Sequence, residues 1–590
     1  MKTTILYPLT LFPALLGLAL PAVADVTVAS PDGHVRFVLS SSAQGHLAYT
    51  VTFNGKNIID PSLVGIVVDK VDLAAGAVIG AAETYKVNET YPWWGAHSTA
   101  TNSCNGAKVA MTHPKSSTSY TLEIRAYNDG VAFRHLVPGT GARVPDEVTE
   151  FHVPASSVIA PQNVVSGYEG VYPWRTTKNT IESMVAHSAP VIFSYSSRHP
   201  ADIPRVTTPA VVNGPISTPW RIVMIGADLN ALFNSDIIHN VNPPPDPKLF
   251  PKGINEDWIK PGRCIFMYLD GGDRTVEGNK EFARLAQQLG FEYNILEGFW
   301  KNWPESQLKE VVDYSRQRGV KILLWTYSAD FEDQKYFDDL VAMCNRTGVA
   351  GLKIDFWDDE HKWIIDRYER VMKTLAEHKL LVDFHGANKP TGLERTYPNI
   401  VGYEAIRGLE FPGPYAQHDA TLPFTRMLAG MADFNPTHFG SRMADLTWAH
   451  MVAQAAILQA PEMAYAANPA NMLANPSVDV LKALPTVWDE TVVLPFSDIR
   501  EVAGFARRSG DTWFIAIMNG PYARNVKIDL SSFLGKSQPQ GGSAITYNAT
   551  LLRDMDKPAA LKVEHVKLTA SDTLSVDMNS GGGFVAMLKK

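Results

Sequence analysis

Val349-Ala-Gly-Leu-Lys-Ile-Asp-Phe-Trp357 and Asn399-Ile-Val-Gly-Tyr-Glu-Ala-Ile-Arg-Gly-Leu-Glu410 decide how this chain folds. Both runs are short, apolar and rich in β-branched residues, and each delivers an acid, Asp355 in the first and Glu410 in the second. Such runs read as buried parallel strands, because a strand covered on both faces loses the alternation of a half-wet one. In a (β/α)-barrel the C-terminal strand ends converge on one mouth. Two carboxyl groups brought to one mouth by different strands are the least that cleavage of a glycosidic bond requires.

Working outward, the same rhythm repeats on both sides. Cys264–Asp270, Phe291–Glu297 and Val320–Thr326 read as strands before Asp355, and Leu380–Gly386 as the strand after it. Helical stretches lie between them: Val276–Leu289 stopped by Gly290, Glu305–Arg318 stopped by Gly319, one near Asp333–Cys344, and Lys362–His378. Met431–Phe434 and Met463–Ala466 are later strand candidates. Alternation at this spacing predicts a parallel sheet, and eight repeats predict a (β/α)8 TIM barrel over residues 256–490. A doubly wound open sheet competes with it, but no glycine-rich phosphate turn follows any strand.

The flanks read differently. Over residues 25–255, runs such as Val35–Ser40, Leu47–Phe53, Ser119–Tyr127 and Gly130–Val137 alternate apolar and polar residues, with Asn54-Gly55 and Asn128-Asp-Gly130 as turns. That pattern predicts a large N-terminal β-sandwich. Asn240-Val-Asn-Pro-Pro-Pro-Asp-Pro247 reads as an extended linker into the barrel. Short strands return over residues 491–590, at Val502–Arg508, Thr512–Met518, Val526–Leu530 and Gly583–Leu588, predicting a small C-terminal β-sandwich.

Composition sets the bounds. A chain of 590 residues is too long for one core. A net charge of −8 with no Lys/Arg run excludes a nucleic-acid partner. The 13 tryptophans supply flat rings on which a sugar can lie. Residues 1–24 read as a signal peptide: Met1-Lys2, an apolar stretch to Leu20, then Pro21-Ala-Val-Ala24 as the small-x-small cleavage pattern. The stretch is short and broken by Pro8, Pro13 and Pro21, so export to the periplasm or medium is expected, without stable membrane insertion. Cys104, Cys264 and Cys344 are too sparse for a disulfide framework and allow one bridge at most.

Seven stretches in order then carry a resemblance. They are Tyr91–Ser98, Asp257–Gly262, Gly351–Phe356, Asp383–Ala387, Gly402–Glu410, His418–Arg426 and Pro485–Thr491. On them the chain resembles glycoside hydrolase family 97 over essentially its full length after the signal. The resemblance implies sandwich, barrel and sandwich in sequence, and a calcium-dependent α-glycosidase of one of two kinds, an inverting α-glucosidase or a retaining α-galactosidase. The inverting kind has a glutamate after the histidine of the fifth strand; here His385 is followed by Gly386. The retaining kind has an aspartate at the end of the fourth strand, and Asp355 stands there.

Asp355 is therefore expected as the nucleophile and Glu410 as the acid/base of a double displacement. Lys353, two residues before Asp355 and on the same strand face, is expected to hold that carboxylate ionised and to reach a sugar hydroxyl. Trp325, His385 and Glu297 are further candidates for sugar binding, although the family pattern leads one to expect an Asp-Ala-Gly-Trp-like run at Leu296-Glu-Gly-Phe-Trp300. The resemblance implies calcium ligands at Glu404 and Glu410, and Glu169 is the candidate ligand from the N-terminal sandwich. The expected partner is an oligosaccharide or other α-galactoside. A different glycone, such as a glucoside or arabinoside, and a non-catalytic carbohydrate-binding protein are the alternatives.

Overall fold

The computed structural model describes residues 25–155, 157–159, 175–176, 191–194, 210–359, 361–535 and 545–590. Residues 1–24, expected as a signal peptide, and Glu169 lie outside the described residues.

The central sheet is parallel throughout. Its strands are β1 Gly262–Phe266, β2 Tyr293–Leu296, β3 Lys321–Tyr327, β4 Gly351–Asp355, β5 Leu381–Phe384, β6 Ile400–Tyr403 and β7 Glu462–Tyr465, in spatial order β6-β5-β4-β3-β2-β1-β7. The sheet curls until β6 and β7 face one another across a gap one strand wide. Met431–Phe434, expected as a strand, fills the gap as extended backbone: Asp433 N–H donates to Tyr403 O, and Ala466 N–H to Pro436 O. The barrel is thus closed by seven strands and one extended segment.

Period-two alternation assigns the faces. Ile322, Leu324, Leu352, Ile354, Val382 and Phe384 point outward, into a cluster with Leu308, Val311, Phe337, Leu340 and Val371. After helix α1 Val276–Leu289, those partners lie on the next three helices, α2 Glu305–Arg316, α3 Gln334–Thr347 and α4 Lys362–Glu377. Trp325, Lys353 and Asp355 alternate with the outward residues and face the barrel axis. Two helices end where the sequence says they must. Thr275 caps α1 by accepting from Gly278 N–H, and Asp333 caps α3 by accepting from Lys335 and Tyr336 N–H. Gly290 and Gly348 end them in the left-handed region.

The N-terminal sandwich packs a four-stranded sheet on a seven-stranded one, with Phe37, Tyr49 and Phe133 in mutual ring contact between them. Its longest hairpin, Val78–Pro92 with Thr99–His113, turns through the Tyr91–Ser98 stretch. That hairpin reaches the barrel: Arg395 donates to Glu89 and lies over the Tyr91 ring, and Tyr91 donates to Asn240. The C-terminal domain is a six-stranded antiparallel sheet with a two-stranded ribbon. Arg507 sits at the junction of all three parts, fully buried. It donates to Ala456 O and Gln459 Oε1 of the barrel domain and lies among the rings of Phe233, Trp488 and Phe505. All three cysteines are buried and unpaired, so the single bridge that the sequence allows does not form. Among the described residues no helix is long and apolar enough to cross a membrane.

Candidate active site

At the C-terminal mouth, β4 ends in Asp355 beside Trp325 and Tyr327 of β3. The Trp325 indole N–H donates to Asp355 Oδ2 at 2.9 Å, and the Phe356 backbone N–H to Oδ1 at 2.7 Å. Phe356 adopts φ +61°, a left-handed conformation costing a side-chain-bearing residue about 1–2 kcal/mol. Ser328 holds it there by donating to Phe356 O, and Trp357 and Asp358 N–H both donate to Gly386 O. The local strain aims the Asp355 carboxylate inward.

Gly386 approaches from β5. Its φ is +52°, and a Cβ built on it would lie 2.7 Å from Phe356 N and 2.8 Å from Asp355 Oδ1. Any side chain at 386 would crowd the Phe356 amide and the Asp355 carboxylate, and one of them would have to shift.

His385 occupies the centre. Its Nδ1 is 3.1 Å from Glu404 Oε2 and 3.4 Å from Asp355 Oδ2; its Nε2 is 3.7 Å from both Glu410 Oε1 and Asp433 Oδ2. Burial works against charge on this ring, but Glu404 and Asp355 overcome it and raise its pKa well above the usual value, so the imidazolium persists at neutral pH. Burial likewise works to raise the Asp355 pKa. His385, the indole hydrogen bond and Lys353 outweigh it and bring it down to about 2, so Asp355 is ionised. The expected effect of Lys353 is thus present but secondary. Its ammonium is buried and donates to Asp433 Oδ2 at 2.7 Å, with Asp383 at 3.7 Å.

Glu404 follows β6 directly, and its Oε2 accepts the Gly386 N–H at 2.6 Å. The strand expected to run on to Glu410 stops at Tyr403, where Ala405 at φ +44° turns the chain out of the sheet. Glu410 therefore comes from a loop, partly exposed, and still reaches His385. Glu297, after β2, is half-buried. Burial pushes its pKa up to about 7, opposed by Lys353 and His385 and reinforced by Glu410 and Asp355. Sequence reasoning missed Asp433 and Asp383. Asp433 has the same signal as Asp355, an acid near the end of an apolar strand candidate, but its segment forms no regular strand.

Asp355, His385 and Glu404 each offer a ligand atom within 4.8 Å of the others, a group able to hold a metal ion. A hard cation such as calcium takes six to eight oxygens. The carboxylates of Glu404 and Glu410 suit it, whereas the charged His385 nitrogen does not. Of the two glutamates expected as ligands, Glu404 belongs to that group, whereas Glu410 lies 3.7 Å from the other nitrogen of the same ring and is not part of it.

Chemically, the mouth holds an ionised carboxylate, a second carboxyl group across a charged histidine, and a lysine below them, ringed by aromatic side chains. The comparisons agree with that equipment. The glycosyl-hydrolase 97 N-terminal model matches residues 28–244, the glycoside hydrolase 97 model residues 271–406, and the glycosyl-hydrolase 97 C-terminal, oligomerisation model residues 487–589. A probable retaining alpha-galactosidase from Streptomyces bingchenggensis is 28% identical over 92% of this chain and 89% of its own length. A retaining alpha-galactosidase from Bacteroides thetaiotaomicron is 26% identical over 97% and 98%. In fold, the chain is similar to a glycoside hydrolase family 97 enzyme from Pseudoalteromonas sp. strain K8 solved with acarbose, with a TM-score of 0.83 and 24% identity over 96% of this chain and 100% of that one. Three family models in order, spanning the sandwich, barrel and sandwich that the structure builds, make this chain a member of glycoside hydrolase family 97.

Proposed function

We propose that the protein is an exported, retaining α-galactosidase. Asp355 attacks the anomeric carbon and forms a glycosyl-aspartate, while Glu410 gives a proton to the departing oxygen. Glu410 then takes a proton from water as that water releases the sugar with its original configuration. His385, charged and facing both carboxyl groups, holds Asp355 ionised and sets the orientation of Glu410. Lys353, fixed by Asp433, supports the floor beneath them.

The observation that carries retention is the contact between Gly386 and Asp355. An inverting site needs a carboxylate that activates water; a side chain carrying one at 386 would start 2.8 Å from Asp355 Oδ1, so the two crowd each other. The galactoside follows from the two relatives named retaining alpha-galactosidases. Calcium held by Glu404 and Glu410, with Glu169 as a further candidate ligand, would add positive charge that fixes the two carboxylates.

Proton NMR of the first sugar released tests the stereochemistry, and an inverted anomer refutes the retaining reading. Asp355→Gly should abolish hydrolysis, with added azide restoring turnover to give the inverted glycosyl azide. A panel of nitrophenyl glycosides tests the glycone. Melting with and without EDTA, together with elemental analysis, tests calcium independently of turnover: bound calcium and a lowered melting point are expected, and Glu404→Gln should weaken both effects. N-terminal sequencing of the exported protein should begin at Asp25.

A further inference from the structure

The mouth has a second feature that the double displacement does not use. Tyr268, just beyond β1, is 56% exposed, and Phe411, next to Glu410, is 41% exposed. Large rings left bare beside a reacting centre offer a surface for a ligand's flat apolar face. Neither ring stacks on another among the described residues, whereas Tyr327 and Phe356, on the Asp355 side, stack on each other with centroids 5.7 Å apart.

The loops that carry both rings are held in place. Arg442 donates from Nε to Leu269 O at 3.2 Å, and from Nη1 to Leu409 O and Glu410 O at 2.9 Å each. One guanidinium thus staples the loop of Tyr268 to the loop of Glu410 and Phe411. The buried Tyr415 hydroxyl lies 2.5 Å from Gly408 O and 2.6 Å from Phe411 O, pinning the second loop from beneath. The charge of Glu410, ahead of burial, raises the pKa of the Tyr268 phenol.

Direction gives the arrangement its meaning. In a retaining displacement the nucleophile and the leaving oxygen are on opposite faces of the sugar. With Asp355 on one face, the aglycone departs toward Glu410, whose loop carries Phe411 and is joined through Arg442 to the loop of Tyr268. We propose that Tyr268 and Phe411 form the aglycone subsite, which takes a leaving group with a flat apolar face, either the C–H face of a second pyranose or an aryl ring. The proposal rests on the roles of Asp355 and Glu410 given above.

The test compares kcat/KM for wild type, Tyr268→Ala, Phe411→Ala and Tyr268→Phe on three substrates of the glycone that wild type hydrolyses fastest. These are a 1,6-linked disaccharide, the nitrophenyl glycoside and the glycosyl fluoride, whose leaving group is too small to reach either ring. Each alanine variant should lose about five- to tenfold on the first two relative to the fluoride, and Tyr268→Phe should match wild type. A selective loss on the disaccharide alone supports a sugar occupant, and one on the nitrophenyl glycoside alone an aryl occupant. Equal losses on all three substrates, no loss on any, or a Tyr268→Phe variant as impaired as Tyr268→Ala would overturn the proposal. An error in the assigned glycone or stereochemistry would be visible in wild type itself, separately from these ratios.

Discussion

Residues 355 and 386 share one small volume, and the division of that volume governs the chemistry. Gly386→Ala must push its Cβ into Phe356 N and Asp355 Oδ1 while holding a positive φ, so the carboxylate moves. Misplacement of about 1 Å costs roughly a hundredfold in rate, and kcat should fall by at least that much with KM little changed. Glu297 gives a pH signature. With its pKa at about 7 the carboxyl is neutral below that pH and charged above it. Glu297→Gln mimics the neutral form, so its kcat/KM should stay near wild type at pH 5.5 and diverge above pH 7. Parallel profiles would show that Glu297 does not titrate in this range. Asp355, His385 and Trp325 were legible in the sequence because strand ends in a barrel converge whatever the details. Lys353 was legible only in part, since its partner Asp433 comes from another turn of the barrel and no local pattern joins them.

At the scale of elements, the Lys353–Asp433 pair links β4 to the extended segment that replaces a strand. Both side chains are buried, and Asp433→Ala would leave the ammonium with Asp383 alone. Breaking a buried pair from one side costs about 3–5 kcal/mol, which urea unfolding should register. Replacing Lys353, Asp433 and Asp383 together by apolar residues should recover much of the loss; a triple variant no more stable than Asp433→Ala would assign the effect to packing. Helix α1 was readable to the residue, because Gly290 announces its end locally, whereas α3, expected near Asp333–Cys344, runs on to Thr347 before Gly348 stops it. Val78–Pro92 was not readable as a strand. It is a largely exposed edge, and its alternation, Tyr85, Val87 and Tyr91, is short and interrupted by Glu89. The run to Glu410 looked continuous for the opposite reason, because its buried loop is as apolar as a strand.

At the scale of the whole molecule, Arg507 makes the three parts depend on one another. Arg507→Ala would strand the Ala456 carbonyl and remove the cation from three rings, at a cost of about 1–3 kcal/mol for the orphaned acceptor alone. Calorimetry should then separate the C-terminal domain's transition from that of the barrel; one unsplit endotherm would mean the junction is held mainly elsewhere. The three-part division was visible in composition and rhythm, but this junction was not, since Arg507 lies in an ordinary strand. The pairing of β1 with β7 has a consequence in time. Gly262 lies opposite Glu462, so the barrel cannot close until nearly all of its sequence has been synthesised. Closing so long a loop is entropically costly and slow, whereas the N-terminal sandwich completes its main sheets from nearer neighbours. On a growing chain the sandwich therefore folds first, and the half-built sheet waits with β1 as an open edge. Asp355 is assembled into a working site only after β7 arrives, so a ribosome-bound chain ending before residue 462 should have a folded sandwich and no hydrolytic activity.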